Sequence, residues 1–224
     1  MSAEEGLRPE ATEPAGEGTT GVAPPTRPPE PPRPVLPFPP LFGKFPFEGV
    51  EVHDPGLKSY ISLDPVYVPH TEGRLANRPF GRTRVHLVER LANHLMKTGK
   101  FTGKKTKALA TVRQAFEILA REQPDRNPLQ VLVDAIENAA PREEVTRLQF
   151  GGISVPRAVD SSPARRLNVA IRNLAVGAIQ APKAKGVTIA HALAREISLA
   201  AKGDMSSFAV SRKEEVERVA QSAR

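Results

Sequence analysis

The residues that most invite a chemical reading are Gly99-Lys100-Phe101-Thr102-Gly103-Lys104-Lys105-Thr106, a lysine-rich run bracketed by glycines. A nucleotide-binding phosphate loop needs four residues between its glycines, a Ser or Thr directly after Gly-Lys, and a strand leading in. Here three residues separate Gly99 from Gly103, Lys105 follows Lys104, and the preceding pattern is helical. Lysines at the entrance to a helix, where free N–H groups already favour anions, suit the phosphates of a polymer better than a bound nucleotide.

The other reactive types do not assemble. His53, His70, His86, His94 and His191 are scattered, and His86 and His94 lie eight apart, outside the one-turn spacing of a helical metal pair. Asp134 and Glu137 are a turn apart on an apolar helix, which reads as capping or surface solubility and not as an acid–base pair. No G-x-S-x-G elbow occurs, and the absence of cysteine removes disulfides, thiolate nucleophiles and thiolate metal sites. No catalytic constellation, metal site or cofactor is therefore expected.

Positive charge is what clusters. Arg82 and Arg84 precede the first long helical pattern, and Lys97, Lys100, Lys104, Lys105 and Lys107 surround the turn after it. Arg142 enters a ribbon whose strands carry Arg147 and Arg157; Arg165 and Arg166 open the next helix with Arg172 two turns further along, and the three can share a solvent side opposite Leu167, Ala170 and Leu174. Arginine forks onto phosphate and stacks on unpaired bases, so a phosphate-binding surface is expected here. The two tyrosines, the lack of tryptophan and the absence of RNP or GXXG patterns after the proline-rich extension argue for a reader of backbone and shape in folded RNA.

These side chains need a scaffold. Val85, Val88, Ala92 and Leu95 recur at three and four, and the helix they predict runs until Gly99. A second helix spans about Lys104 to Glu122, and Asn127-Pro128 opens a third that ends at Pro141. Alternation around Gly151-Gly152 then predicts a two-stranded hairpin over residues 143–159. Ser162-Pro163 starts a fourth helix and Thr188 caps a fifth. A capping box, Ser211 with Glu214, starts the sixth. The fold class expected is mainly α: a single helical domain of about six helices with a protruding two-stranded β-ribbon.

Composition divides the chain into residues 1–45, a proline-rich, acidic, disordered extension; 46–82, an irregular segment packing on the domain; and 83–224, the helical domain. Thirteen of the first 46 residues are proline. Leu36, Phe38, Leu41, Phe42, Phe45 and Phe47 break that texture and should lie against something apolar, in this domain or a neighbour. The formal charge of +7 separates into −5 over residues 1–70 and +12 over 71–224, so the folded part carries the attraction for a polyanion. No signal peptide or 18-residue apolar run is visible, so no membrane partner is expected.

Four motifs in order carry a family likeness: MKTGKFTGKKTKA from Met96, PLQVLVDAIENAAPREEV from Pro128, GGISVPRAVDSSPARRLNVAIRNL from Gly151 and SRKEEVERVAQSAR from Ser211. Together they resemble the universal uS7 family of small-subunit ribosomal proteins over about residues 60–224, in its archaeal form. The resemblance implies a cytoplasmic, non-enzymatic constituent of the small subunit. Such a protein binds the 3′ major domain of 16S rRNA, nucleates head assembly beside neighbouring head proteins, and lies near the exit-site tRNA and the mRNA path. It also implies rRNA contacts for the lysines and arginines named above and for Lys213 on the last helix. Arg147, Arg157 and the Gly151-Gly152 tip would contact rRNA or exit-site tRNA. A free copy acting as an mRNA-binding translational regulator is the alternative.

Overall fold

In the computed structural model the described residues are 39–181 and 187–224, so residues 1–38, with Leu36 and Phe38, lie outside them. The helices are α1 (Pro55–Lys58), α2 (Leu87–Leu95), α3 (Lys105–Glu122), α4 (Pro128–Ala139), α5 (Pro163–Gln180), α6 (Ile189–Ala201) and α7 (Phe208–Ser222). Between α4 and α5 stand β1 (Glu143–Phe150) and β2 (Ile153–Asp160), paired antiparallel with Phe150 opposite Ile153. The class is the expected one, mainly α with a β-ribbon. The additions are a single turn at α1, within the stretch read as irregular, and a 3-10 turn at Gly81–Arg84 across its end.

The apolar stripes meet in one core that includes Leu91 and Leu95 of α2, Phe116 of α3, Leu132 and Ile136 of α4, Leu167 and Leu174 of α5, and Leu193 and Ile197 of α6. Burial of such side chains, at about 25 cal/mol per Å² of apolar surface, dominates stability. The segment before α1 joins this core: Leu41 and Phe45 are buried, and Phe42 and Phe45 meet the Phe116 ring edge-to-face at 6.2 and 5.9 Å. Polar fasteners hold it down. Asn127 caps α4 by accepting from Leu129 N–H at 3.0 Å while its amide donates to the Pro46 carbonyl at 2.8 Å. Gln130 both accepts from Glu51 N–H and donates to its carbonyl.

Two helix boundaries differ from the sequence reading. α2 begins at Leu87, where the His86 side chain accepts from Val88 N–H, and stops at Leu95, four residues before Gly99. Thr98 ends it by donating through both N–H and Oγ1 to the Leu95 carbonyl, so no glycine is required there. α7 begins at Phe208, not at the Ser211–Glu214 box. Its cap is Ser207, and the buried Glu196 of α6 accepts from Ser207 Oγ at 2.8 Å and from Ala209 N–H at 2.9 Å. A carboxylate from another helix thus satisfies free N–H groups at the helix start, a partner invisible to a local pattern.

The ribbon turn is as expected: Gly151 and Gly152 both have positive φ, 53° and 89°, which a two-residue hairpin turn favours and glycine adopts without strain. Its base is clamped. Arg224 reaches Glu143, Arg165 reaches Glu144, and Arg142 N–H donates to Glu217 at 2.8 Å. Residues 151–157 are exposed. A two-stranded ribbon is marginal in water, and these ties to α5 and α7 supply what it lacks.

Candidate nucleic-acid interface

Phe101 decides the geometry of the lysine run. It is buried in the turn between α2 and α3, with Lys107 Nζ 5.7 Å from its ring centre, and Gly103 at φ 71° lets the chain turn into α3. With the hydrophobe pointing inward, Lys97, Lys100, Lys104 and Lys107 stand on the surface. None of them forms a salt bridge with a described residue.

A cavity of about 640 Å³ opens beside this turn, between the 71–85 segment, α2 and the start of α5. Arg78, Arg82, Arg90, Lys97 and Lys105 line it, with Ala164 and Asn168 from α5. Arg172 extends the same α5 side, at i+4 from Asn168. The convergence of charge registers on His94. Burial, then the cations Lys97, Arg90, Arg82 and Arg172, push its pKa down to about 4. Arg90 is buried, and burial with the Arg82 charge lowers its pKa to about 10. It remains charged at neutral pH and donates to the Tyr60 carbonyl at 2.9 Å and Asn168 Oδ1 at 3.0 Å.

The structure separates the expected contact residues into free and engaged groups. Arg82, Arg84, Arg142, Arg147, Arg157 and Arg172 are exposed, and their guanidinium groups have no carboxylate partner among the described residues. Arg166 differs. Its side chain is 12% exposed and bonded to Asp54 at 2.6 Å, because it faces the packed seam between α1 and α5 and not the solvent side assigned to it from the sequence. Lys105 lies on the Glu89 carboxylate, which is 1% exposed and also accepts from Thr71 N–H and Oγ1. Arg165 is tied to Glu144 at the ribbon base. Lys213 is half-buried beside a groove that Glu214, Glu215, Glu217 and Arg218 also line.

Register divides the ribbon arginines as well. Arg147 pairs with Pro156 and Arg157 with Thr146, so the two point to opposite faces. Arg157 shares its face with Leu148, Val155, Ile153 and Val159, and the last three are exposed.

Asp134 and Glu137 are fasteners, where the sequence suggested capping or solubility. Glu137 accepts from the N–H groups of His53 at 2.7 Å and Asp54 at 3.0 Å; Asp134 accepts from Arg126 at 2.6 Å and Gln130 at 2.7 Å. His53, Asp134 and Glu137 bring ligand-type atoms within 4.8 Å of one another, but these hydrogen bonds account for the cluster without an ion. Among the described residues no helix is long and apolar enough to cross a membrane.

Arg78, Phe80, Arg90 and Asn93 of the cavity were missed by the sequence reading. For Arg78 and Phe80 the signal was in the run RPFGRTR from Arg78, an aromatic–glycine pair flanked by arginines.

A helical domain with a clamped ribbon and uncommitted surface cations is built as a structural ribosomal protein is built. The family profile described as ribosomal protein S7p/S5e matches residues 57–224, and the chain belongs to that family. It is similar to the small ribosomal subunit protein uS7 of Archaeoglobus fulgidus, 54% identical over 82% of this chain and 94% of that relative. The uS7 proteins of Thermoplasma volcanium (53% identical) and Picrophilus torridus (50%) match over 82% of this chain and 100% and 98% of their own lengths. The likeness is of the archaeal type. The family is one of structural constituents of the small ribosomal subunit, and not of enzymes.

Proposed function

We propose that the chain binds the 3′ major domain of 16S rRNA in the cytoplasmic small subunit and nucleates the head, with residues 83–224 as the binding domain and 46–82 as a strap packed on it. The contacts are made by Arg82, Arg84, Lys97, Lys100, Lys104, Lys107, Arg142 and Arg172, whose side chains have no anionic partner within the described fold. Lys105, Arg165 and Arg166 serve mainly to hold the scaffold. The ribbon, with Arg147, Arg157 and the glycine tip, extends toward the exit-site tRNA and the mRNA path.

The observation that carries this reading is the free cation band itself. Unpaired cations held close together, as Arg82, Lys97 and Arg172 are around His94, are costly through mutual repulsion, and a phosphate polymer relieves it while releasing counterions. The test is the affinity of the full chain for a 3′ major-domain transcript across a salt gradient. Replacing Lys97, Lys100 and Lys104 by Gln should lower affinity and reduce the log–log salt slope by about 2 to 3, since each lost phosphate contact removes about 0.7–0.9. An unchanged slope in the triple variant would overturn the assignment.

A further inference from the structure

Phe80 is 80% exposed, yet it is one of three non-glycine residues with positive φ among the described residues. It sits in the left-handed region at φ 53°, ψ 11°, where bulky L-residues are rare. The surrounding turn fixes it there. Thr83 donates to the Phe80 carbonyl through both N–H at 2.9 Å and Oγ1 at 2.7 Å, and Gly81 N–H donates to the Arg78 carbonyl at 3.0 Å. A Cβ on Gly81 would fall 2.1 Å from the Leu75 carbonyl oxygen, so the close approach that sets the turn requires glycine. A strained residue that its surroundings over-determine is typical of a ligand clamp.

The ring belongs to the cavity described above, whose volume of about 640 Å³ is in the range of small-ligand sites. Arg82 and Lys97 are free cations on its wall, and the one carboxylate there, Glu89, is consumed by Lys105 and Thr71. Asn93 lines it too, half-buried, with a side-chain amide that has no hydrogen-bond partner among the described residues. A presented aromatic face, an unpaired amide and free cations are the three groups that hold a splayed-out nucleotide by base face, base edge and phosphate. Solvent alone explains an exposed lysine. It does not explain an aromatic ring held out of the core by a strained turn.

We propose that Phe80 stacks one unpaired base of the bound RNA, with Asn93 on the base edge and the nucleotide's phosphate on Arg82 and Lys97. The proposal rests on the RNA-binding reading above and adds to it a single-nucleotide pocket. The chain has no tryptophan and few aromatic residues, so it captures one base instead of tracking a strand.

Because tryptophan is absent, Phe80→Trp makes the full chain a single-tryptophan reporter at this position. Phe80→Asn removes the ring with a residue that tolerates the left-handed backbone. With the 3′ major-domain transcript as probe, the Trp variant should bind within about threefold of the unsubstituted chain and lose emission on binding. The Asn variant should bind about ten- to a hundredfold more weakly with an unchanged salt slope, the range for losing one stacked base. Native-level binding by the Asn variant, or unaltered emission from the Trp variant at saturation, would overturn the pocket while leaving the wider RNA reading intact. Emission that changes only when other small-subunit proteins are added would overturn it in favour of a protein occupant. Failure of the unsubstituted chain to bind the transcript in a salt-dependent way would remove both.

Discussion

Arg166 Nη2 donates to Asp54 Oδ2 at 2.6 Å across 112 residues of sequence, and the same carboxylate caps α1 by accepting Gly56 N–H at 2.8 Å. One aspartate therefore joins the start of a single-turn helix to α5. Burial would raise the pKa of Asp54, but the Arg166 hydrogen bond, the Gly56 N–H and the charges of Arg166 and Arg142 together hold it below the usual value.

Replacing Asp54 by Asn should cost about 1–3 kcal/mol, less than for a fully buried pair because both side chains retain some solvent. The pH dependence has a definite sign. A carboxylate with a lowered folded pKa contributes stability above its unfolded pKa and loses it as pH falls through the folded one. Urea denaturation at a series of pH values should show the native chain losing more stability than Asp54→Asn on acidification below the ordinary aspartate range.

Lys105 and Lys104 are neighbours with different work. Lys105→Met leaves Glu89, 1% exposed, without its cation, and should destabilise the fold by about 3 kcal/mol. Lys104→Gln should leave the denaturation midpoint within error and weaken RNA binding. Substituting the two together would confuse the effects, whereas adding Glu89→Gln to Lys105→Met should recover part of the stability. A midpoint unaffected by Lys105→Met would contradict the role given to this pair.

His86 and His94 titrate together from the standpoint of stability. Burial is the leading cause for both and holds each near 4; nearby Asp64 and Glu89 oppose the shift at His86, and cations add to it at His94. Both are neutral in the folded chain where the unfolded chain would already be protonated, so stability should fall as pH drops from about 6.5 toward 4 and level off below. The loss should be on the order of 3 kcal/mol for each histidine, about twice that for the pair, and NMR titration should find both rings neutral at pH 5.5. Protonating His86 would also remove the acceptor of Val88 N–H, which starts α2.

Gly177 faces the α7 cap. A Cβ there would lie 2.9 Å from both Glu196 Cδ and Phe208 Cβ, so Gly177→Ala should displace the carboxylate that caps α7 and cost about 1–3 kcal/mol. Hydrogen exchange should accelerate at the start of α7 before it does elsewhere; protection unchanged at Ala209 and Val210 would count against this.

At the ribbon tip nothing lies within 4 Å of a Cβ on Gly151 or Gly152, so strain there is purely conformational. Replacing both by Val should disorder the turn and leave helical circular dichroism and cooperative unfolding in place. Loss of the cooperative transition would mean that the ribbon belongs to the core.

The order and kind of the elements were legible from the sequence because apolar period, caps and the Gly151-Gly152 turn are local signals. Asn127-Pro128 opens α4 in the structure as its residue types dictate, and the alternation from Val145 to Val155 becomes a ribbon. The charge separation between the acidic first 70 residues and the basic remainder is likewise a property of sequence alone. Tertiary structure decided which charges are free. Arg166 and Arg172 look alike along α5, yet Asp54, distant in sequence, claims the first and leaves the second exposed. Glu89, Glu137 and Glu196 carry no local signal of burial in the sequence, yet they fasten a lysine, a strap and a helix cap. Helix and turn formation depend on neighbours a few residues apart. Whether a charge faces solvent or a partner depends on what the fold brings within about 3 Å of it.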